Sequence, residues 1–168
     1  MKKNYQLRML IITALFAAIT CALTFSVRIP TPLGYTHPGD SIIYLAACVL
    51  PFPYALFAAA MGGALADLLA GYPQWAIPTL IIKALISLPY GSKSDKILTK
   101  RNAFMVIPAG LITVAGYFGA SWIMYDWASA FVELTGYLSQ AAISAVMFVV
   151  LAAGLDRIRF KQKVGNNI

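Results

Sequence analysis

The chain of 168 residues is 60% hydrophobic and only 11% charged, against roughly 25% charged in an ordinary soluble domain, which excludes a water-soluble fold of this size. At about 20 apolar residues per membrane crossing, six spans consume most of the sequence and leave no stretch free for a nucleotide-binding or catalytic lobe outside the bilayer. The net charge of +7 is then a topology signal rather than a nucleic-acid signal, because Lys and Arg collect on the cytoplasmic side of membrane proteins.

Residues 9–27 form the first apolar run, behind Lys2, Lys3 and Arg8. The run outlasts the roughly 7–15-residue core of a signal peptide, so a retained helix is expected. Ala14, Ala18 and Ala22 make a small-xxx-small ladder along it, which suits close approach of another helix, either within the chain or on a partner. The segment 28–40, Arg28-Ile-Pro-Thr-Pro-Leu-Gly-Tyr-Thr-His-Pro-Gly-Asp40, is rich in proline and glycine and reads as irregular backbone. Such backbone is tolerated at membrane depth only where it is buried in protein or lines a wet cavity. The next run, 41–50, spans only about 15 Å as a helix, half of the hydrocarbon core. A re-entrant loop filling the missing depth is therefore expected, with an ordinary surface loop as the alternative.

Further runs follow at 54–69, 75–89, 104–125 and 137–155. Pro51 and Pro53 separate the second run from the third, which could otherwise form one kinked helix. Charge decides for six spans: with both termini cytoplasmic, Lys2, Lys3, Arg8, Lys93, Lys96, Lys100, Arg101, Arg157, Arg159, Lys161 and Lys163 share one side, 11 of the 13 basic residues. The outer side then holds 28–40, the turn 71–74 and the segment 126–136. The expected architecture is an all-α integral membrane protein, one compact six-helix bundle over residues 1–168. Ala59, Gly63 and Ala66 add a second, weaker small-residue seam, and the chain shows no internal repeat.

Two ionisable residues fall within spans, Asp67 and Lys83. A central lysine must face the bundle interior, pair, or meet a ligand. A Lys83–Asp67 pair fixing helix register is one reading, and a lysine at the floor of a pocket is the other. Trp75, Thr79, Lys83 and Ser87 recur every four residues and make a polar stripe, while Tyr137, Gln140, Ala141 and Ser144 share a face of the last run. Tyr117, Trp122, Tyr125 and Asp126 come from the run between, and Trp75, Trp122 and Trp127 all map to the outer half. Aromatic faces opposite Lys, Gln, Ser and Asp suit a flat, polar heteroaromatic ligand. Cys21 and Cys48 lie in apolar runs and read as packing residues. With a single histidine, His37, no metal cluster is available. The run Gly91-Ser-Lys-Ser-Asp-Lys96 is a charged turn and not a phosphate loop, so any ATP must be hydrolysed by another chain.

The stretches Pro32-Leu-Gly-Tyr-Thr-His-Pro-Gly-Asp-Ser-Ile-Ile-Tyr-Leu-Ala-Ala47, Gly63-Ala-Leu-Ala-Asp-Leu-Leu-Ala-Gly-Tyr72 and Ile81-Ile-Lys-Ala-Leu85 resemble the S components of energy-coupling factor (ECF) transporters, most of all the hydroxymethylpyrimidine/pyridoxine-type branch. The resemblance implies a substrate-binding membrane subunit without its own ATPase or cofactor. Such a subunit captures a vitamin or precursor outside and docks on a transmembrane scaffold (T) subunit carrying two ATPases. It makes Ala14, Ala18 and Ala22 the scaffold-facing surface and the loop 28–40, with Tyr35, His37 and Asp40, the lid of the site. Two other classes are weighed against it. An oligomeric ion-coupled carrier would use Asp67 and Lys83 as a charge relay. An intramembrane enzyme would use His37, Asp40 and Asp67, but lacks the clustered acid, base or metal ligands such chemistry needs.

Overall fold

The computed structural model describes residues 2–91 and 93–166; Ser92, in the charged turn, lies outside the described residues, as do the side chains of Lys2 and Lys3. The elements in order are α1 (Lys2–Ser26), β1 (Ile29–Thr31), β2 (Gly34–Thr36), α2 (Asp40–Val49), α3 (Tyr54–Ala70), α4 (Ala76–Ser87), α5 (Lys100–Phe104), α6 (Val106–Met124), α7 (Trp127–Arg157) and α8 (Phe160–Asn166), with a single 3-10 turn, Pro73–Trp75, before α4. Three helical stretches, Asn4–Ser26, Lys100–Met124 and Trp127–Arg157, are long and apolar enough to cross a membrane. Their outward residues, among them Leu10, Ile11, Leu15, Leu111, Ile123, Val146 and Val150, are exposed, as suits a surface solvated by lipid.

The bundle is organised around α2. It touches α1, α3, α4 and α7, and nine of its ten residues are buried. A helix that is apolar nearly all round belongs in a core, and Ile42, Ile43, Leu45, Ala46 and Ala47 give α2 that character. Around it, α1 packs on α3, α3 on α4, α4 on α6, and α6 on α7.

Small residues set the closest approaches. A Cβ on Gly62 would lie 2.8 Å from the Ala17 carbonyl of α1, and one on Gly63 would lie 2.6 Å from Cγ of Lys83 on α4. Ala59 and Ala66 are fully buried beside them. In α1 the buried stripe is Met9, Thr13, Phe16, Thr20 and Thr24. Ala14, Ala18 and Ala22 lie off that stripe and are exposed, so their ladder is not the seam between α1 and α3.

Two expectations are corrected. The segment 28–40 is not wholly irregular: Ile29 pairs with Thr36, Pro30 with Tyr35 and Thr31 with Gly34 in a short antiparallel hairpin, which gives backbone groups partners away from water. Residues 126–136 are not a loop either. α7 starts at Trp127, ten residues before the predicted 137, because the Asp126 carboxylate caps it by accepting the Ser129 N–H at 2.7 Å, and no Gly or Pro interrupts the chain until Gly136. At the other end of the site, α3 stops at Gly71, whose φ of +85° is the left-handed cap conformation that glycine adopts without strain.

Candidate functional site

The hairpin lies across one end of the bundle, pinned by four side-chain hydrogen bonds. Tyr35 donates its hydroxyl to Oδ1 of Asp67 on α3 (2.6 Å), and the Leu33 N–H donates to Oε1 of Glu133 on α7 (2.8 Å). Trp75 Nε1 donates to the Leu33 carbonyl (3.2 Å), and Thr36 Oγ1 donates to the Gly136 carbonyl (3.1 Å). Beneath it lies a pocket of about 380 Å³, counted out to its mouth and lined by Gly34, Tyr35, His37, Asp67, Trp75, Thr79, Tyr117, Glu133, Tyr137 and Gln140. Most of that volume is open to solvent at the mouth; the accessible space inside is about 30 Å³, room for about two waters, so a ring-sized solute fits only when the hairpin shifts.

The walls are aromatic. Tyr117 and Tyr137 are near-parallel with centroids 5.6 Å apart, and Trp75 lies 5.8 Å from Tyr117. Their polar ends are held in place: Thr79 and Tyr117 share a hydrogen bond at 3.1 Å, and the Ser121 and Tyr137 hydroxyls are in contact. The floor is an ion pair. Lys83 Nζ lies 2.6 Å from Oδ1 of Asp40, the first residue of α2, and Gln140 Nε2 donates to Oδ2 of the same carboxylate at 3.0 Å. The Lys83 ammonium also lies 4.9 Å from the Tyr117 ring centroid.

His37 closes the side next to α1. Its Nδ1 accepts the Gly39 N–H at 3.1 Å, so the proton of the neutral ring is on Nε2. Burial, reinforced by the nearby Lys83 charge, lowers its pKa to about 3. Burial and the Asp67 charge push the Tyr35 hydroxyl well above its ordinary value, which keeps it a donor. Gly39 makes this corner possible, since a Cβ there would lie 1.9 Å from Thr24 Oγ1.

Of the residues singled out from the sequence, Tyr35, His37, Asp67, Trp75, Thr79, Tyr137 and Gln140 line the pocket, and Asp40 and Lys83 form its floor. Ser144 is fully buried one turn further along α7. Of the two readings of Lys83, the pair with Asp67 is not formed: α2 inserts between the outer helices and brings Asp40 to Lys83, while Asp67 turns to the hairpin. Trp122, Tyr125 and Asp126 do not line the pocket. Trp122 and Tyr125 are 54% and 41% exposed, Trp122 packs on Trp127, and Asp126 serves as the α7 cap. Hydrogen bonds from the Ser129 N–H and hydroxyl, with a smaller one from the Ala128 N–H, outweigh a slight opposing effect of burial and hold the Asp126 carboxyl below its ordinary range. Glu133 is the pocket residue that sequence reading missed. Its signal in the sequence is a lone acid in an apolar stretch that no Gly or Pro interrupts. Among the described residues no group of His, Cys, Asp and Glu could hold a metal ion.

Residues 4–157 match the family model described as "ECF-type riboflavin transporter, S component". A Pyrococcus woesei protein described as "Uncharacterized protein in gap 3'region" is 33% identical over 145 residues, covering 84% of this chain and 94% of the relative.

Proposed function

This chain belongs to the ECF-type riboflavin transporter S-component family, the substrate-binding membrane subunits of ECF transporters, and we propose that the pocket beneath its hairpin captures a small heteroaromatic vitamin or vitamin precursor of the hydroxymethylpyrimidine or pyridoxine kind. S components act with a T subunit and two ATPases rather than as enzymes. In this reading the chain crosses the membrane six times with both termini cytoplasmic. The hairpin end then faces outside, and the turn bearing Lys93, Lys96, Lys100 and Arg101 faces the ATPases.

The observation that carries the proposal is the composition of the pocket and of the hairpin over it. Three aromatic rings and a ring of buried polar groups converge under a hairpin held by hydrogen bonds that can be exchanged for bonds to a ligand. Such a lid admits a solute when its anchors release and excludes water when they re-form. The exposed Ala14, Ala18 and Ala22 face of α1 offers the scaffold subunit a surface on which backbones can approach closely in lipid.

Isothermal titration of the purified chain against pyridoxine, hydroxymethylpyrimidine and riboflavin tests the capture role. Saturable 1:1 binding of one of them is expected, and Trp75 fluorescence should change with it. No binding by any of the three, from a chain that still melts cooperatively, would overturn the reading.

A further inference from the structure

The pocket has an uneven charge complement. Its lining carries two carboxylates, Asp67 and Glu133, which are only 6% and 3% exposed. The one ammonium nearby, Lys83, is already committed to Asp40 at 2.6 Å, so that pair contributes no net charge. His37 is held neutral by burial and by its contact with the Gly39 N–H. At the rim, the Arg28 guanidinium lies over the Phe25 ring at 4.4 Å and is 5.9 Å from the Tyr35 ring, outside the lining. Among the described residues, therefore, the lining holds acids and no free cation.

Each carboxylate also has a specific geometry. Glu133 takes the Leu33 N–H of the hairpin tip on Oε1, and Asp67 takes the Tyr35 hydroxyl on Oδ1. Oδ2 of Asp67 is buried without a hydrogen bond; the Thr79 hydroxyl, which bonds Tyr117 and can still donate, is the protein group next to it. A buried acceptor left unmatched is costly, and a buried carboxylate without a counter-charge more so. The surrounding faces of Trp75, Tyr117 and Tyr137 attract positive charge through their ring quadrupoles. Aromatic walls, two uncompensated acids and one open carboxylate oxygen are together the recognition chemistry of an organic cation.

We infer that the pocket selects a flat heteroaromatic molecule bearing a positive nitrogen, an ammonium or a ring cation, that binds Oδ2 of Asp67, and that it rejects carboxylate and phosphate forms of the same ring. This rests on the capture reading above and deepens it by fixing the charge class of the solute.

The test is a charge series on one ring. Pyridoxamine, pyridoxine and 4-pyridoxic acid present an ammonium, a hydroxyl and a carboxylate at the same position. Thiamine serves as a second cation and riboflavin as a neutral ligand of the kind the family description names. Titrated into the full chain in detergent at neutral pH, pyridoxamine should bind about tenfold or more tighter than pyridoxine, the effect of one charge-assisted hydrogen bond, and 4-pyridoxic acid should not bind. Asp67→Asn should abolish the preference, so that pyridoxamine binds no more tightly than pyridoxine. Should Asp67→Asn fail to fold, Glu133→Gln should reduce the same preference. Binding of riboflavin or pyridoxine with no preference for the cations, or a preference for 4-pyridoxic acid, would overturn the charge class and leave the capture reading standing. Absence of binding across the whole series, thiamine included, would overturn both.

Discussion

A lysine at the centre of an apolar helix costs about 2.5–3.5 kcal/mol on insertion scales, and Lys83 is fully buried. The Asp40 carboxylate and the Tyr117 ring offset that cost, and Gly63 leaves space for the aliphatic stem. Removing one partner of such a pair strands the other, so Lys83→Met should lower stability by about 3–5 kcal/mol. Asp40→Asn should restore part of the loss and Asp67→Asn should not, as melting curves of the single and double variants in detergent will show. His37 carries a pH dependence of definite sign. The unfolded chain protonates this imidazole near pH 6.5, whereas the folded chain does so only near about pH 3. Between those values the unfolded state binds up to one more proton, so stability falls on acidification by up to about 1.4 kcal/mol per pH unit. His37→Asn, which keeps an acceptor for the Gly39 N–H, should flatten the slope of melting temperature between pH 6.5 and pH 4. At this scale the sequence was informative where periodicity operates. Trp75, Thr79, Lys83 and Ser87 share a buried face, as their spacing of four predicts. It was uninformative about partners: Asp40 and Lys83 are 43 positions apart, and no local rule says which of two acids a lysine will reach.

Element boundaries were legible where chain chemistry is local. The runs 41–50 and 54–69 match Asp40–Val49 and Tyr54–Ala70 closely, since proline and the Gly71 cap terminate them. The hairpin was hidden because its pairing is a non-local event in a segment whose prolines and glycines signal only the absence of helix. The first ten residues of α7 were hidden by an expectation that a loop must separate two spans. The element contacts themselves are testable through glycine. Gly63→Ala forces a methyl group against Lys83 and Thr79 and should cost about 1–3 kcal/mol. Gly119→Ala in α6, where a Cβ meets nothing within 4 Å, should be neutral or stabilising by up to about 1 kcal/mol. Thermal unfolding of the two variants in parallel separates packing at the α3–α4 contact from the intrinsic helix preference of alanine.

For the molecule as a whole, the division between what faces the core and what faces lipid was the most readable property, because composition alone required it. Which exposed face meets a partner was not readable, since alanines suit an internal seam and an external contact equally well. The structure turns Ala14, Ala18 and Ala22 outward, so Ala18→Trp should leave the melting temperature and ligand affinity unchanged. If that face docks on the T subunit, the same variant should fail to co-purify with the scaffold and ATPases and fail to support uptake in cells. Normal uptake by an Ala14→Trp, Ala18→Trp double variant would remove α1 from the docking surface. Enclosure of α2 has a consequence of another kind. The chain's two cysteines are both free; Cys48 is sealed on the central helix, and Cys21 sits at the edge of burial on the peripheral α1. The native protein thus carries two chemical clocks without engineering. Maleimide should label Cys21 through local fluctuations of α1, whereas labelling of Cys48 waits for the surrounding helices to part. A solute that tightens the bundle should slow the second clock far more than the first.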